Sequence, residues 1–400
     1  MLLLKTNRLF GQFVLSRHYS TSNKLKLLFF GTDDFASLHL KALIKEKSNK
    51  KNRLCTPNID TLYIENENSC IESLELVCPP DRFTGRKLET LTPSETKGVA
   101  ELYNIPVHHT PLQAKTLNDW HLPKDQQYDL GVVVSFGYFI PPHIISQFRF
   151  GAINVHPSLL PKYRGAAPIQ HAIINGDHET GVTVQELDDK EFDAGRILAQ
   201  ERVSLSDKAP FYSTLKKTLG AVGSNLLVDT IQHIHERKAS ARTQDVSQAT
   251  KAPKIKKEWS EIDFENMTAW KVEQLSRAIG EQYPLRTTYT KKKKRKLRTY
   301  TVQLMHLFVP AHPCPLLEGL EPGEWVWHEQ SKSIHILFKD GSVIACPTVK
   351  LEGRDAIAAK DFVNGFEHEG IFGVTRLYDE VARKKTLKLL TNMKKYTKIE

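Results

Sequence analysis

No stretch of the 400 residues approaches the roughly 18 consecutive apolar positions of a bilayer-spanning helix, so a membrane protein of that kind is not expected. Cysteine is scarce. Cys55, Cys70, Cys78, Cys314 and Cys346 show no two-residue zinc spacing. Scattered through a chain this long, they fit a reducing compartment rather than a disulfide framework. Gly31 stands alone after the run LLFF, which argues against the triple-glycine dinucleotide fingerprint. No internal repeat is visible. No metal site is expected, and the adjacent His108 and His109 read as structural. No acidic residue precedes Asp33.

That last absence leads to what is present. Residues 1–22, MLLLKTNRLFGQFVLSRHYSTS, interleave apolar residues with Lys5, Arg8 and Arg17, and include several hydroxyls. This is the composition of an import leader, amphipathic, basic and poor in acid, and it predicts delivery to the mitochondrial matrix. The net charge of +10 is uneven. Residues 251–400 carry 27 Lys and Arg against 19 Asp and Glu, while residues 25–250 are almost neutral. A basic C-terminal third attached to a neutral body predicts a polyanionic partner there.

The length favours two domains. In the first, LKLLFFGTDDFASLHLKALIKE reads as a strand, a turn, an Asp cap and a helix. Further strands follow in ESLELVCPP, DLGVVVS and FGAINVH, with helices between them. ETGVTVQELDDKEFDAGRILAQERV pairs two strands around an acidic loop, and a long helix begins near Tyr212. Alternating strands and helices predict an α/β, Rossmann-like domain with a parallel-rich sheet over 24–237. Its site should lie beyond the carboxyl ends of the strands, where the loops 135–141, 154–165 and 185–195 meet. Residues 47–70 read as a polar excursion and 238–258 as a linker. Short strand-like runs over 259–368 predict a smaller C-terminal β-barrel, OB-like, and 369–400 read as a basic tail.

The chemistry centres on NVHPSLLPKYRG. On a strand, Asn154 and His156 point to the same face. An amide NH₂ and an imidazole N–H can donate together to a developing oxyanion, and a histidine can also move a proton. From spacing alone, a capped strand end with a surface histidine is equally consistent. Asp193, before Ala194–Gly195 in the acidic loop, is the candidate third member. A carboxylate beside His156 would orient its ring and tautomer.

The blocks FFGTDDFA, PPDRFTGRKL, NVHPSLLPKYRGAAPIQ, INGDHETGVTVQELDDKEFDAG and ATKAPKI together resemble the methionyl-tRNA formyltransferases, a branch of the folate-dependent formyltransferases. The resemblance implies transfer of a formyl group from 10-formyltetrahydrofolate to the α-amino group of initiator methionyl-tRNA, by a monomer. It implies a catalytic trio of Asn154, His156 and Asp193. For folate it implies Ser135, Phe136, Gly137, Tyr138, Ile140, Ser158, Leu159, Leu160, Pro161 and Asp189. For tRNA it implies Arg82, Arg86, Lys87, Arg164 and the run Lys291, Lys292, Lys293, Lys294 and Arg295. Two other readings stay open: a formyltransferase for a small amine, and a non-catalytic RNA-binding relative, which should lack part of the trio.

Overall fold

The computed structural model describes residues 24–49, 64–65, 68–85, 87–112, 116–123, 126–206, 210–293, 296–365 and 369–373. The expected leader, most of the 47–70 excursion, Arg86, Lys294, Arg295 and the tail from 374 lie outside the described residues.

The first domain is built on a seven-stranded sheet. Its spatial order is Ile197–Ser204, Glu179–Glu186, Ala152–His156, Leu130–Val134, Leu25–Gly31, Ile71–Cys78 and Val107–His109. The last five run parallel, and the acidic-loop pair is antiparallel. The parallel strands are near-continuous apolar runs because both faces are covered, one by helices Asp34–Lys47 and Tyr212–Gln232 and the other by Leu117, Leu122, Tyr128, Ile144 and Phe148. Leu27, Leu28, Phe29 and Phe30 are fully buried, two on each side. Asp33 caps helix Asp34–Lys47 by accepting from Ala36 N at 2.9 Å. The chain leaves the Leu25–Gly31 strand toward one edge and later returns on its other side. The order therefore reverses between that strand and Leu130–Val134, and such a reversal opens a crevice at the carboxyl ends.

His108 and His109 prove structural in part: His108 Nε2 meets Glu75 Oε2 at 2.6 Å, and Tyr128 OH donates to the same oxygen at 2.7 Å. The expected single long helix is two, Tyr212–Gln232 and Ile234–Ala239, because His233 leaves the helical region (φ −116°, ψ 29°).

The second domain has two four-stranded antiparallel sheets. One holds the hairpin Arg286–Lys293 and Lys296–Met305, with Thr348–Leu351 and Ala356–Ala358. The other holds Glu324–His328, Ser333–Leu337, Val343–Cys346 and Glu369–Ile371. Backbone bridges Tyr289–Phe372 and Phe308–Ala345 join the two sheets at both seams. The barrel thus runs past its expected end at 368. Glu369–Ile371 is too short to show alternation, and Gly370 is there because Trp325 leaves no room for a Cβ. Within the basic run, Lys291, Lys292 and Lys293 end the first strand of the first sheet's hairpin, in register with Arg298, Leu297 and Lys296.

The segment read as a linker is seated on the first domain. Arg242 pairs with Ile197, Lys251 bridges Arg164, and Pro253 O receives His171 Nε2 at 3.1 Å. Helix Ala269–Ile279 packs on Pro168–Asn175, so the domains share a core.

His39 sits inside that core against Gly223. Its Nδ1–H donates to Phe35 O at 2.8 Å, and burial lowers its pKa from 6.5 to about 4. The folded state therefore takes up this proton later than the unfolded chain. The stability it confers is intact above about pH 6.5 and is lost as pH falls toward 4, by roughly 1.4 kcal/mol per unit. His39→Leu should therefore lose less stability than wild type between pH 7 and pH 4.5 in denaturant titrations. Parallel acid slopes would contradict this account.

Candidate functional site

The three expected loops enclose one cleft of about 560 Å³. Its lining includes Asn154, His156, Asp193, Asp33, Gly165 and the Ser135–Ile140 loop. One wall is apolar, built from Phe136, Phe139, Ile140, Leu187 and Phe192, with Tyr138 beside them. Phe136 packs on Phe30 at 5.3 Å between ring centroids, and Phe139 meets Phe192 edge-on at 5.2 Å. The volume suits a medium-sized organic molecule, and an apolar wall with a few fixed polar groups is the usual composition of such sites.

Asn154 and His156 leave the Ala152–His156 strand on one face, as period two requires. Both reach the same oxygen. Asn154 Nδ2 lies 3.4 Å from Asp193 Oδ1, and His156 Nδ1 also lies 3.4 Å from it. Asp193 is held more tightly by its scaffold. Gly165 N–H donates to Oδ2 at 2.9 Å and Gln185 Nε2 to Oδ1 at 3.1 Å. Its backbone is left-handed, with φ of 58°, which a non-glycine residue adopts only when its surroundings compel it.

The histidine tautomer is set differently from the expectation. His156 Nε2 is 2.9 Å from the carbonyl of Tyr163. A carbonyl only accepts, so Nε2 carries the proton and Asp193 is not the group that selects the tautomer. Nδ1 faces Asp193 and the cleft, and it can donate only when the ring is an imidazolium. Tyr163 is itself fixed. Its N–H donates to Thr250 Oγ1 at 2.8 Å, its hydroxyl donates to Asp177 at 2.8 Å, and burial pushes that hydroxyl's pKa up to about 12.

Of the residues singled out for folate, Ser135, Phe136, Gly137, Tyr138 and Ile140 line the cleft. Ser158, Leu159, Leu160, Pro161 and Asp189 do not. Ser158 is fully buried and donates to Lys162 O at 2.6 Å. Leu160 N–H donates to Thr183 Oγ1 at 3.1 Å, and its carbonyl accepts from Gln200 Nε2 at 2.8 Å. With these groups internally paired, the block acts as a buttress beneath the turn. Asp189 is exposed, and its neighbour Asp188 faces the cleft while capping Lys190 and Glu191.

The residues singled out for tRNA also separate. Arg82 and Lys87 are exposed on or beside the hairpin Arg82–Thr84 and Thr90–Thr92. That hairpin also holds Phe83, Leu88 and Leu91 more than half exposed, which the sequence reading did not single out. Arg164 is turned inward. Its guanidinium donates to Gln244 Oε1 at 2.7 and 3.1 Å and lies 3.7 Å from Glu191, so it is committed within the protein. The reading also missed Asp33, at the polar end of the cleft, whose carboxyl pKa is raised by burial. Among the described residues, no three His, Cys, Asp or Glu gather to hold a metal ion.

The family model for "Formyl transferase" matches residues 24–231, and that for "Formyl transferase, C-terminal domain" matches residues 254–367. The chain belongs to the formyl transferase family. This formyltransferase is 33% identical over 375 residues to the human mitochondrial methionyl-tRNA formyltransferase, covering 92% of this chain and 85% of that one. It is 31% identical over 380 residues to the rat mitochondrial methionyl-tRNA formyltransferase, covering 94% and 87%. Among solved structures, an N-formyltransferase from Helicobacter canadensis, determined with folinic acid and dTDP-3-aminofucose, is 18% identical. It superposes with a TM-score of 0.51 over 80% of this chain and 98% of that one, a likeness of fold.

Gly165 ties the turn to Asp193. Its φ is +124°, and a Cβ there would lie 2.7 Å from Ala252 O. Gly165→Ala should lower the melting temperature by several degrees, equivalent to roughly 2 kcal/mol of strain and displaced backbone. A melting curve superimposable on wild type would show that the turn tolerates the methyl group.

Proposed function

We propose that this formyltransferase moves the formyl group of 10-formyltetrahydrofolate to the α-amino group of initiator methionyl-tRNA, for translation initiation in the mitochondrial matrix. It acts as a monomer without membrane attachment. Residues 1–22 are its import leader, 24–237 the catalytic domain, 238–258 the connecting segment, and 259–368 with the closing strand Glu369–Ile371 a barrel that holds tRNA, followed by a basic tail. The observation that carries the reading is the convergence of Asn154, His156 and Asp193 at the base of a cleft with one apolar wall.

The apolar wall from Phe136 to Phe192 suits a flat, reduced pterin, and the donor so held supplies the formyl carbon that the amine attacks. A bond forms between the amine nitrogen and that carbon, the bond to N10 breaks, and one proton passes from the amine to N10. An α-amino group titrates near pH 8, so freeing its lone pair is easy. The larger task is the negative charge gathering on the formyl oxygen. Asn154 Nδ2 and the imidazolium Nδ1 of His156 donate to it. Asp193 keeps both donors on one side of the cleft and, through a water, relays the proton.

The tRNA is recognised through phosphates. The ribbon holding Lys291, Lys292 and Lys293 supplies the cations of the barrel, continued by Lys294 and Arg295. Arg82, Arg86 and Lys87 flank the exposed Phe83, Leu88 and Leu91, a combination suited to gripping phosphates while apolar side chains press on unstacked bases.

Protein beginning after residue 22, given 10-formyltetrahydrofolate, should formylate methionyl-tRNA and leave free methionine and amino sugars unmodified; formylation of the free amines instead would overturn the substrate assignment. His156→Ala and Asn154→Ala should each lower kcat per folded enzyme about 10²- to 10³-fold, the equivalent of one lost oxyanion donor. Wild-type turnover in either would remove that residue from the chemistry. Replacing Lys291–Lys293 with alanine should weaken tRNA binding and reduce the slope of log K against log salt by roughly 0.7–0.9 for each phosphate no longer neutralised. An unchanged slope would show that the ribbon does not meet phosphate.

A further inference from the structure

The connecting segment brings a carboxamide to the back of the site. Gln244 is nearly sealed from solvent and does not line the cleft. Its Oε1 accepts twice from Arg164, at 2.7 and 3.1 Å. Its Nε2 lies 2.8 Å from Gly195 O, 2.9 Å from Asp193 O and 3.1 Å from Gln185 Oε1. The arginine can only donate, so the orientation of the Gln244 amide is fixed. Its two protons are shared among three acceptors, and the two nearest are the carbonyls on either side of Ala194.

The consequences reach Asp193 by two routes. The first is the backbone: both ends of the Asp193–Gly195 turn hang from one nitrogen, and Asp193 is the residue held at φ 58°. The second is the side chain. Gln185 Oε1 is occupied by Gln244, which leaves the Gln185 NH₂ facing Asp193 Oδ1 at 3.1 Å. The same segment also supplies Thr250, which holds Tyr163 and through its carbonyl the His156 ring.

We infer that Gln244 is a positioning residue for formyl transfer, aiming the Asp193 carboxylate at Asn154 and His156 without touching either substrate. The inference rests on the reading of those three residues as the reacting groups. It makes the segment between the domains part of the active site.

The test uses the full chain after residue 22 with Gln244→Leu and Gln244→Glu. Leu keeps the bulk and loses every hydrogen bond. Glu keeps an acceptor for Arg164 but turns oxygen lone pairs toward two carbonyls. Both should lower kcat per folded enzyme about 20-fold or more, the scale of a misplaced catalytic group. KM for methionyl-tRNA and for 10-formyltetrahydrofolate should stay within about threefold, because Gln244 meets neither. A crystal structure of Gln244→Leu should show the Asp193 carboxylate off the Gly165 amide. The inference is overturned by a variant that melts earlier yet keeps its kcat per folded enzyme. It is also overturned by wild-type kcat in Gln244→Glu, which would place the role in Arg164 alone, or by an undisturbed Asp193 in the crystal. If wild type itself leaves methionyl-tRNA unformylated, the proposed function fails, and the variant's crystal structure still decides whether Gln244 positions Asp193.

Discussion

The carboxylate of Asp193 is where three distant stretches of chain are pulled together. The Ala152–His156 strand sends Asn154 and His156 to it, the turn after Pro161 sends the Gly165 amide, and the Glu179–Glu186 strand sends Gln185. Its left-handed backbone costs on the order of 1–3 kcal/mol, and a hydrogen bond to a charged group returns roughly 1.5–3 kcal/mol, so the two short scaffold hydrogen bonds alone can hold it. The distances divide by purpose. The scaffold donors lie at 2.9 and 3.1 Å, and Asn154 and His156 at 3.4 Å. Asn154 and His156 thus sit beside the carboxylate at longer range than its scaffold donors.

This arrangement is possible because of where the sheet reverses. Strands Leu25–Gly31 and Leu130–Val134 lead their loops apart, and the crevice between them receives Asp33 from one and Ser135–Ile140 from the other. The acidic loop then closes the side from the antiparallel pair. Glu186 illustrates how that loop tolerates its own charge. Burial pushes its carboxyl pKa up, but hydrogen bonds from Arg196 and Lys238 outweigh burial and hold it below the usual range. With that charge paired at the base of the loop, Asp193 remains at the cleft with an imidazole as its nearest titratable partner.

The legible part of this site was the part written in side-chain spacing. Asn-x-His on an apolar strand follows from a period of two, and the parallel-rich sheet of the first domain follows from strands that alternate with helices. The site's second layer was not legible, because it works through backbone groups. Tyr163 selects the His156 tautomer with a carbonyl, and Gly165 holds Asp193 with an amide. Ser158–Pro161 looked like ligand contacts from the resemblance, yet none of the four lines the cleft, and Ser158 and Leu160 are buried. The segment from 238 to 258 read as a linker because its residues are polar and aperiodic. In the structure, Gln244 and Thr250 spend those polar groups on loops that the sequence places 50 to 90 positions away.

That seating changes what the two domains are to each other. A connection that only tethered the barrel would leave the trio intact when the barrel moved. Here the same dozen residues hold the Tyr163 amide, the Arg164 guanidinium and the Asp193 carbonyl before the chain enters the second domain. The anchorage continues into the second domain: Lys271 Nζ, on helix Ala269–Ile279, donates to Ile174 O at 2.8 Å, and Trp259, ahead of that helix, meets His171 edge-on at 5.5 Å. Lys271 is half-buried, and burial lowers its pKa, so the hydrogen bond is held inside the joint rather than lent to solvent. A catalytic domain cut before Gln244 would keep Asn154, His156 and Asp193 in sequence but lose both ties on their orientation. The hydrogen bonds that orient Asn154, His156 and Asp193 therefore extend beyond the first domain, into the connecting segment that runs to Pro253.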